Sequence, residues 1–128
     1  MPVASVSPAD DPAAKAAVVA KAAIRAADQL GLNARQLGSI LGLSEATISR
    51  LRAGNYLLRP NGKDYELAVL FVRLFRSLDA IVGGDAQAAH AWLRNPNIPL
   101  GAPPLELIQT IRGLTDAVGY LDSRRAIV

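Results

Sequence analysis

The stretch NARQLGSILGLSEATISRLRAG, from Asn33 to Gly54, decides how the chain is read. Asn33 suits a helix N-cap, and Gly42 suits the end of a short helix. Ser44 caps a second helix that runs to Ala53 and is closed by Gly54 and Asn55. Two helices joined this tightly can cross only where one of them carries a small residue, and Gly38 supplies it. Ile48 and Leu51 lie six and nine residues after Gly42 and, with Leu37 and Leu41, make a small aliphatic core. With Ile48 and Leu51 inward, Glu45, Ala46, Ser49, Arg50 and Arg52 point outward or flank the outer face. Small residue, turn glycine, cap and inward aliphatics agree in register. The pattern is a helix-turn-helix.

The outward residue types suit the major groove of double-stranded DNA. Arg50 can grip guanine bidentately, Glu45 can accept from the cytosine amino group, and Ala46 can touch a thymine methyl. Ser44, Thr47 and Ser49 offer short hydroxyls to phosphate or base. Arg35, Arg52, Arg59 and Lys63 are the expected phosphate contacts, which hold register without reading sequence. Charge agrees with this. Between Asn33 and Lys63 stand five basic residues and one acidic residue, whereas the rest of the chain holds nine basic and ten acidic. The excess positive charge is thus confined to one segment, as a polyanion site requires.

The flanking sequence is helical throughout. Residues 1–11 read as a flexible leader. From Pro12 to Leu30 an Ala-rich helix carries Lys21, Arg25 and Asp28 on a wet face and Val19, Ala23, Ala26 and Leu30 on the other, and Gly31 stops it. Arg59-Pro60-Asn61-Gly62 is a loop. A long helix follows from Asp64 to Val82. Its apolar positions Leu67, Leu70, Phe71, Leu74, Phe75, Leu78, Ile81 and Val82 are joined by Ala68, Val69 and Val72, an arc too wide for one buried face. Gly83-Gly84 ends it. Asp85 caps a helix bearing Ala91, Trp92 and Leu93, and Asn95 to Gly101 form a loop. Pro104 opens a helix expected over Leu105 to Ile111. Gly113 is expected to break into a last helix, Leu114 to Leu121, leaving Asp122 to Val128 as a tail. No strand signal or internal repeat appears, so the expected class is all-α. The absence of Cys excludes disulfides and makes the cytoplasm the simplest location. Arg73, Arg76 and Asp79 interrupt the greasiest segment, Leu67 to Val82, which argues against a membrane span.

Over Leu32 to Gly54 the sequence resembles the Xre/Cro-like, phage-repressor-type regulators, departing from them at Ala34, where many members carry a phosphate-bracing Gln. A second resemblance lies in Ala91-Trp92-Leu93, Pro96-Asn97, Leu100-Gly101, Pro104-Leu105-Glu106-Leu107 and Gly113 with Val118 and Leu121. These look like the C-terminal domain of Xre/MbcA/ParS-type antitoxins. The pairing implies an antitoxin that binds a RES-domain toxin, which consumes NAD, and represses its own operon. It also implies a homodimer built on the C-terminal helices, whose far C-terminus enters the toxin's active site. On that reading, residues 12–62 bind operator DNA, 63–121 dimerise and bind toxin, and 122–128 form the tail. Trp92, Leu121, Ser123, Arg124, Arg125, Ile127 and Val128 are then the expected toxin contacts.

Plainer readings stand beside these. Trp92 fits a core residue by its spacing with Ala88 and Ala89, and the sole histidine, His90, has no neighbours at metal-ligand spacing. Glu106, Arg124 and Arg125 fit as charges complementing helix dipoles. A plain regulator whose C-terminal half only dimerises or senses a ligand is the alternative function. An enzyme is disfavoured, because nothing assembles into a nucleophile, an acid–base pair or a phosphate loop, and no metal or cofactor is expected.

Overall fold

The first helix starts as its sequence dictates: Asp11 accepts a hydrogen bond from the Ala13 N–H, and Pro12 stands where a missing N–H costs nothing. This computed structural model describes residues 11–127, with side chains as far as Arg125. The expected leader therefore lies, apart from Asp11, outside the described residues. Helix α1 spans Pro12–Gln29, followed by α2 (Ala34–Leu41), α3 (Glu45–Arg52), α4 (Lys63–Ile81), α5 (Ala86–Arg94), α6 (Pro104–Leu107) and α7 (Ile111–Ile127). All regular structure among the described residues is helical, and the class is all-α.

Helix α4 is the axis of the fold. Helices α7 and α1 pack against it most extensively, α2 rests on it, and α5 also touches it. Ala68, Phe71, Leu74 and Leu78 are fully buried along it, and Leu67, Leu70, Val72, Phe75 and Ile81 are partly covered. Each fully buried large side chain contributes roughly 1.5–3 kcal/mol relative to exposure. The wide apolar arc is thus met largely by neighbours in the same chain. Val69 stays 40% exposed. Helix α1 presents alanines to the interior, with Ala16, Ala23, Ala26 and Ala27 buried, and such short side chains let its backbone approach closely. Lys21, Arg25 and Asp28 face solvent, as their spacing predicts. Among the described residues no helix is long and apolar enough to cross a membrane.

The C-terminal end departs from the sequence reading. The expected helix over Leu105 to Ile111 is the single turn α6, and the break falls at Thr110, whose hydroxyl accepts from the Gly113 N–H and whose carbonyl accepts from Leu114. Gly113 lies inside α7. It is needed there because a Cβ would collide with the Leu107 carbonyl, so the glycine serves close packing. Nor does Asp122 begin a tail. Helix α7 runs unbroken to Ile127, and Asp122 accepts hydrogen bonds from Arg73 and, at 2.8 Å, from the buried Ser77 hydroxyl. A carboxylate reaching across to α4 holds the last turns of α7 in helical register, a contact 45 residues away that no local signal announces.

Candidate nucleic-acid interface

Helices α2 and α3 meet where Gly38 permits it. A Cβ on Gly38 would run into the Leu43 carbonyl, so only glycine allows the turn to fold back this tightly. Asn33 caps α2 in a full capping box: its side chain accepts from the Gln36 N–H at 2.8 Å, and the Gln36 side chain accepts from the Asn33 N–H at 3.0 Å. Gln36 in this role was legible as Asn-x-x-Gln but is absent from the sequence reading. Gly42 ends α2 in the left-handed region at φ 71°. Ser44 then caps α3 by accepting from the Thr47 N–H at 3.1 Å. Leu37, Leu41, Ile48 and Leu51 are buried as expected.

With Ile48 and Leu51 inward, Glu45, Ala46, Ser49 and Arg50 are exposed on one face of α3. Thr47 is half-buried, and its hydroxyl lies 2.9 Å from that of Ser44 while accepting from Arg50 Nη2 at 3.0 Å. Ser44 and Thr47 therefore steady Arg50. The guanidinium is held through its terminal Nη2, which leaves Nη1 and Nε as donors that can be presented to a base.

The expected phosphate contacts divide. Arg35 is exposed on the first turn of α2. Arg52 turns toward α1 and pairs with Asp28 at 3.0 Å, bracing the end of α3. Lys63 pairs with Glu66 at 3.2 Å in an exposed contact that contributes little stability. Arg59 keeps a side chain 70% exposed while its Nε lies 3.5 Å from Asp64. Asp64 and Glu66 fall just past Lys63 and Asp28 well before Asn33, so a charge balance over that segment leaves out three carboxylates that the fold brings beside it. Arg35 and Arg50 are the cations of the segment with no such partner among the described residues.

Asp64 is the residue the sequence hides. It stands in the first turn of α4, only 2% exposed. It accepts from the Tyr56 hydroxyl at 2.7 Å, from the Arg59 N–H at 3.2 Å and from the Tyr65 N–H at 3.0 Å. Burial pushes its carboxyl pKa upward, but the hydrogen bonds from Tyr56 and the backbone, together with the Arg59 charge, outweigh it. The carboxyl is held below the ordinary carboxylate range. The same bond, reinforced by burial, raises the Tyr56 phenol above its usual value.

The C-terminal residues of interest do not share one surface role. Trp92 is half-buried and packs against the core. Leu121 is wholly internal at 1% exposure, so the expectation that it touches a partner is corrected: its side chain is spent on the core beneath α7. Ser123, Arg124 and Arg125 are exposed on the last turns of α7. Arg124 stacks over the Tyr120 ring at 5.8 Å, and Arg125 reaches toward Ser77 at 3.5 Å. The Ile127 side chain and Val128 lie outside the described residues.

Comparison with known families matches both halves. Residues 10–73 match the antitoxin Xre-like helix-turn-helix domain, and residues 77–126 match the antitoxin Xre/MbcA/ParS C-terminal toxin-binding domain. No curated protein matches the chain.

Proposed function

The chain belongs to the Xre/MbcA/ParS-type antitoxins, and from that premise we propose that it neutralises a RES-domain, NAD-consuming toxin in the cytoplasm and represses its own operon as a dimer. The observation that carries this is the pairing, in one chain, of an antitoxin helix-turn-helix with a toxin-binding domain. Arg50 and Glu45 read bases, with Ala46 and Ser49 beside them, while Ser44 and Thr47 hold Arg50 in place. Arg35 and Arg59 grip phosphate, with Lys63 at the edge. Arg52 acts mainly as the brace between α3 and α1. Support comes from the exposed α3 face and from a guanidinium at Arg59 that is largely open to solvent.

Toxin is bound by the end of α7, through Ser123, Arg124 and Arg125, with the half-buried Trp92 contributing from α5. An arginine pair on a rigid helix loses less entropy on docking than one on a frayed tail, and it can meet the acidic or anion-binding groups of an NAD pocket through charge-assisted bonds. The dimer draws support from a groove of about 420 Å³ between α1, α4 and α7, one side of which is apolar, with Val18 67% and Val69 40% exposed beside Val19, Ala22 and Val72, while Arg73, Arg76, Ser77, Asp122 and Arg125 line the other. A lone helix-turn-helix makes few phosphate contacts, so two copies on a two-fold operator give useful affinity.

Co-purification with the product of the neighbouring gene tests the toxin half. A stable complex with a RES-domain protein is expected, and a neighbour that neither binds nor harms cells argues for the plain regulator. Light scattering at micromolar concentration should return about twice the chain mass of 13.5 kDa. A clean monomer there removes the dimer.

A further inference from the structure

The buried carboxylate of Asp64 is explained neither by the core, which has no need of a charge, nor by the reading face of α3, which it does not join. We propose that Asp64, fixed by the Tyr56 hydroxyl, is the positioning residue that sets the loop from Ala53 to Gly62 so that Arg59 meets the DNA backbone. This rests on the DNA-binding reading above.

Three features of the site converge on it. Asp64 ties the middle of the loop to the start of α4, because the Tyr56 hydroxyl and the Arg59 N–H both donate to its carboxylate. The loop is pinned elsewhere by the buried Leu58, by the Asn55 N–H donating to the Arg50 carbonyl and by the Gly62 N–H donating to the Arg59 carbonyl, but none of these contacts reaches the Arg59 side chain. The loop contains Pro60, Asn61 at φ 61° and Gly62, and its α4 cap makes no side-chain hydrogen bond. The Arg59 side chain leans on the same carboxylate through Nε alone, 3.5 Å away, and remains 70% exposed. A guanidinium held by its inner nitrogen keeps its outer pair of donors for a phosphate. Tyr56 and two backbone N–H groups already fill most of the carboxylate's roughly four acceptor sites, so both of its oxygens are satisfied without Arg59.

Charge and positioning predict opposite effects of neutralising Asp64. Asp64→Asn removes a negative charge beside a phosphate-binding cation, and by charge alone should tighten DNA binding. Positioning requires the opposite. The test uses the full-length protein, a labelled duplex spanning the region immediately upstream of its own coding sequence, and an unrelated duplex of equal length. Asp64→Asn is expected to weaken binding to both duplexes on the order of tenfold and to flatten the salt dependence as Arg59→Ala does. In an Arg59→Ala background the same change should have little further effect, because Asp64 acts through Arg59. Binding as tight as, or tighter than, that of the unsubstituted protein overturns the proposal. So does an equal loss in both backgrounds, which would make Asp64 a stability residue only. If Asp64→Asn fails to fold, Tyr56→Phe, which deletes one hydroxyl and keeps the charge, goes through the same cycle and decides by the same criteria. If the unsubstituted protein binds neither duplex, the DNA-binding reading falls and this one with it; if it binds but Asp64→Asn does not weaken it, only this one falls.

Discussion

Glycine does two kinds of work across the two halves of this molecule. At Gly42 a glycine ends a helix by turning left-handed at φ 71°, whereas at Gly113 a glycine sits within α7 so that the helix can pass close to the Leu107 carbonyl. In the N-terminal half, glycines, caps and aliphatics within about twenty residues of one another specify the structure. In the C-terminal half, α7 also depends on partners far along the chain, since Asp122 reaches Arg73 and Ser77 on α4. Local chemistry therefore reads well up to α3 and poorly beyond α6.

The largest expected effects come from exchanging the glycines. Gly38→Ala should cost about 3 kcal/mol or more, since its Cβ meets backbone that cannot step aside. DNA binding should vanish with it. Gly113→Ala should cost a similar amount but disturb α6 against α7, impairing toxin neutralisation first. Thermal melts with DNA-binding and neutralisation assays check this. If each substitution abolishes both activities equally at a temperature where the protein is folded, the two halves do not divide the labour.

A smaller and sharper contrast lies within the DNA face. Arg50→Ala should lose about 1–3 kcal/mol of operator affinity and relax preference at one base pair. Arg59→Ala should weaken every sequence alike and reduce the slope of affinity against salt. Binding to a panel of single-base operator variants at several salt concentrations separates them. Matching specificity profiles for the two variants would erase the distinction between reading and gripping.

The remoter half offers its own test. Asp122→Ala strips the buried Ser77 hydroxyl of its acceptor and should lower stability by about 1–2 kcal/mol. Operator binding of the folded protein should be unchanged, because no residue of α2 or α3 touches this contact. A parallel fall in DNA affinity would show that α4 transmits the loss.

These contrasts explain what was legible. The helix-turn-helix, its buried aliphatics and its outward Glu45, Ala46, Ser49 and Arg50 follow from short-range register, and the structure places them as the spacing requires. The pairing of Arg52 with Asp28 has no local signal, since Asp28 lies 24 residues earlier on another helix. Asp64 was read as an ordinary helix start, since nothing near it announces that Tyr56 will fold onto its carboxylate. Helix α7 exceeds the expected Leu114 to Leu121 at both ends: Gly113 at its start serves close packing, and at its end the Asp122 contacts with Arg73 and Ser77 span more than forty residues. Leu121 itself could have been recognised: with Leu114, Ala117 and Val118 it keeps helical spacing and is buried with them.

The smallest expected effect is in the acid limb. Asp64 has its pKa lowered in the folded protein, so its contribution is present above the ordinary carboxylate range and is lost as pH falls through the lowered value. Tyr56, with its pKa raised, contributes below the ordinary phenol range and loses that contribution as pH rises through the raised value. Melting temperature followed from neutral pH down to about pH 3 should fall more steeply for the unsubstituted protein than for Asp64→Asn. Parallel acid limbs would mean that the Asp64 cluster holds no charge-dependent stability.

The most direct measurement of the central claim, one chain with separable reading and neutralising halves, is cellular NAD in cells carrying the RES-domain toxin proposed as its partner. Cells co-expressing the unsubstituted chain, or the Arg50→Ala, Arg59→Ala double variant from an independent promoter, should keep their NAD. Cells co-expressing an Arg124→Ala, Arg125→Ala variant that still binds operator DNA should lose it. NAD that collapses with the DNA-face variant, or holds with the α7 variant, would contradict the division.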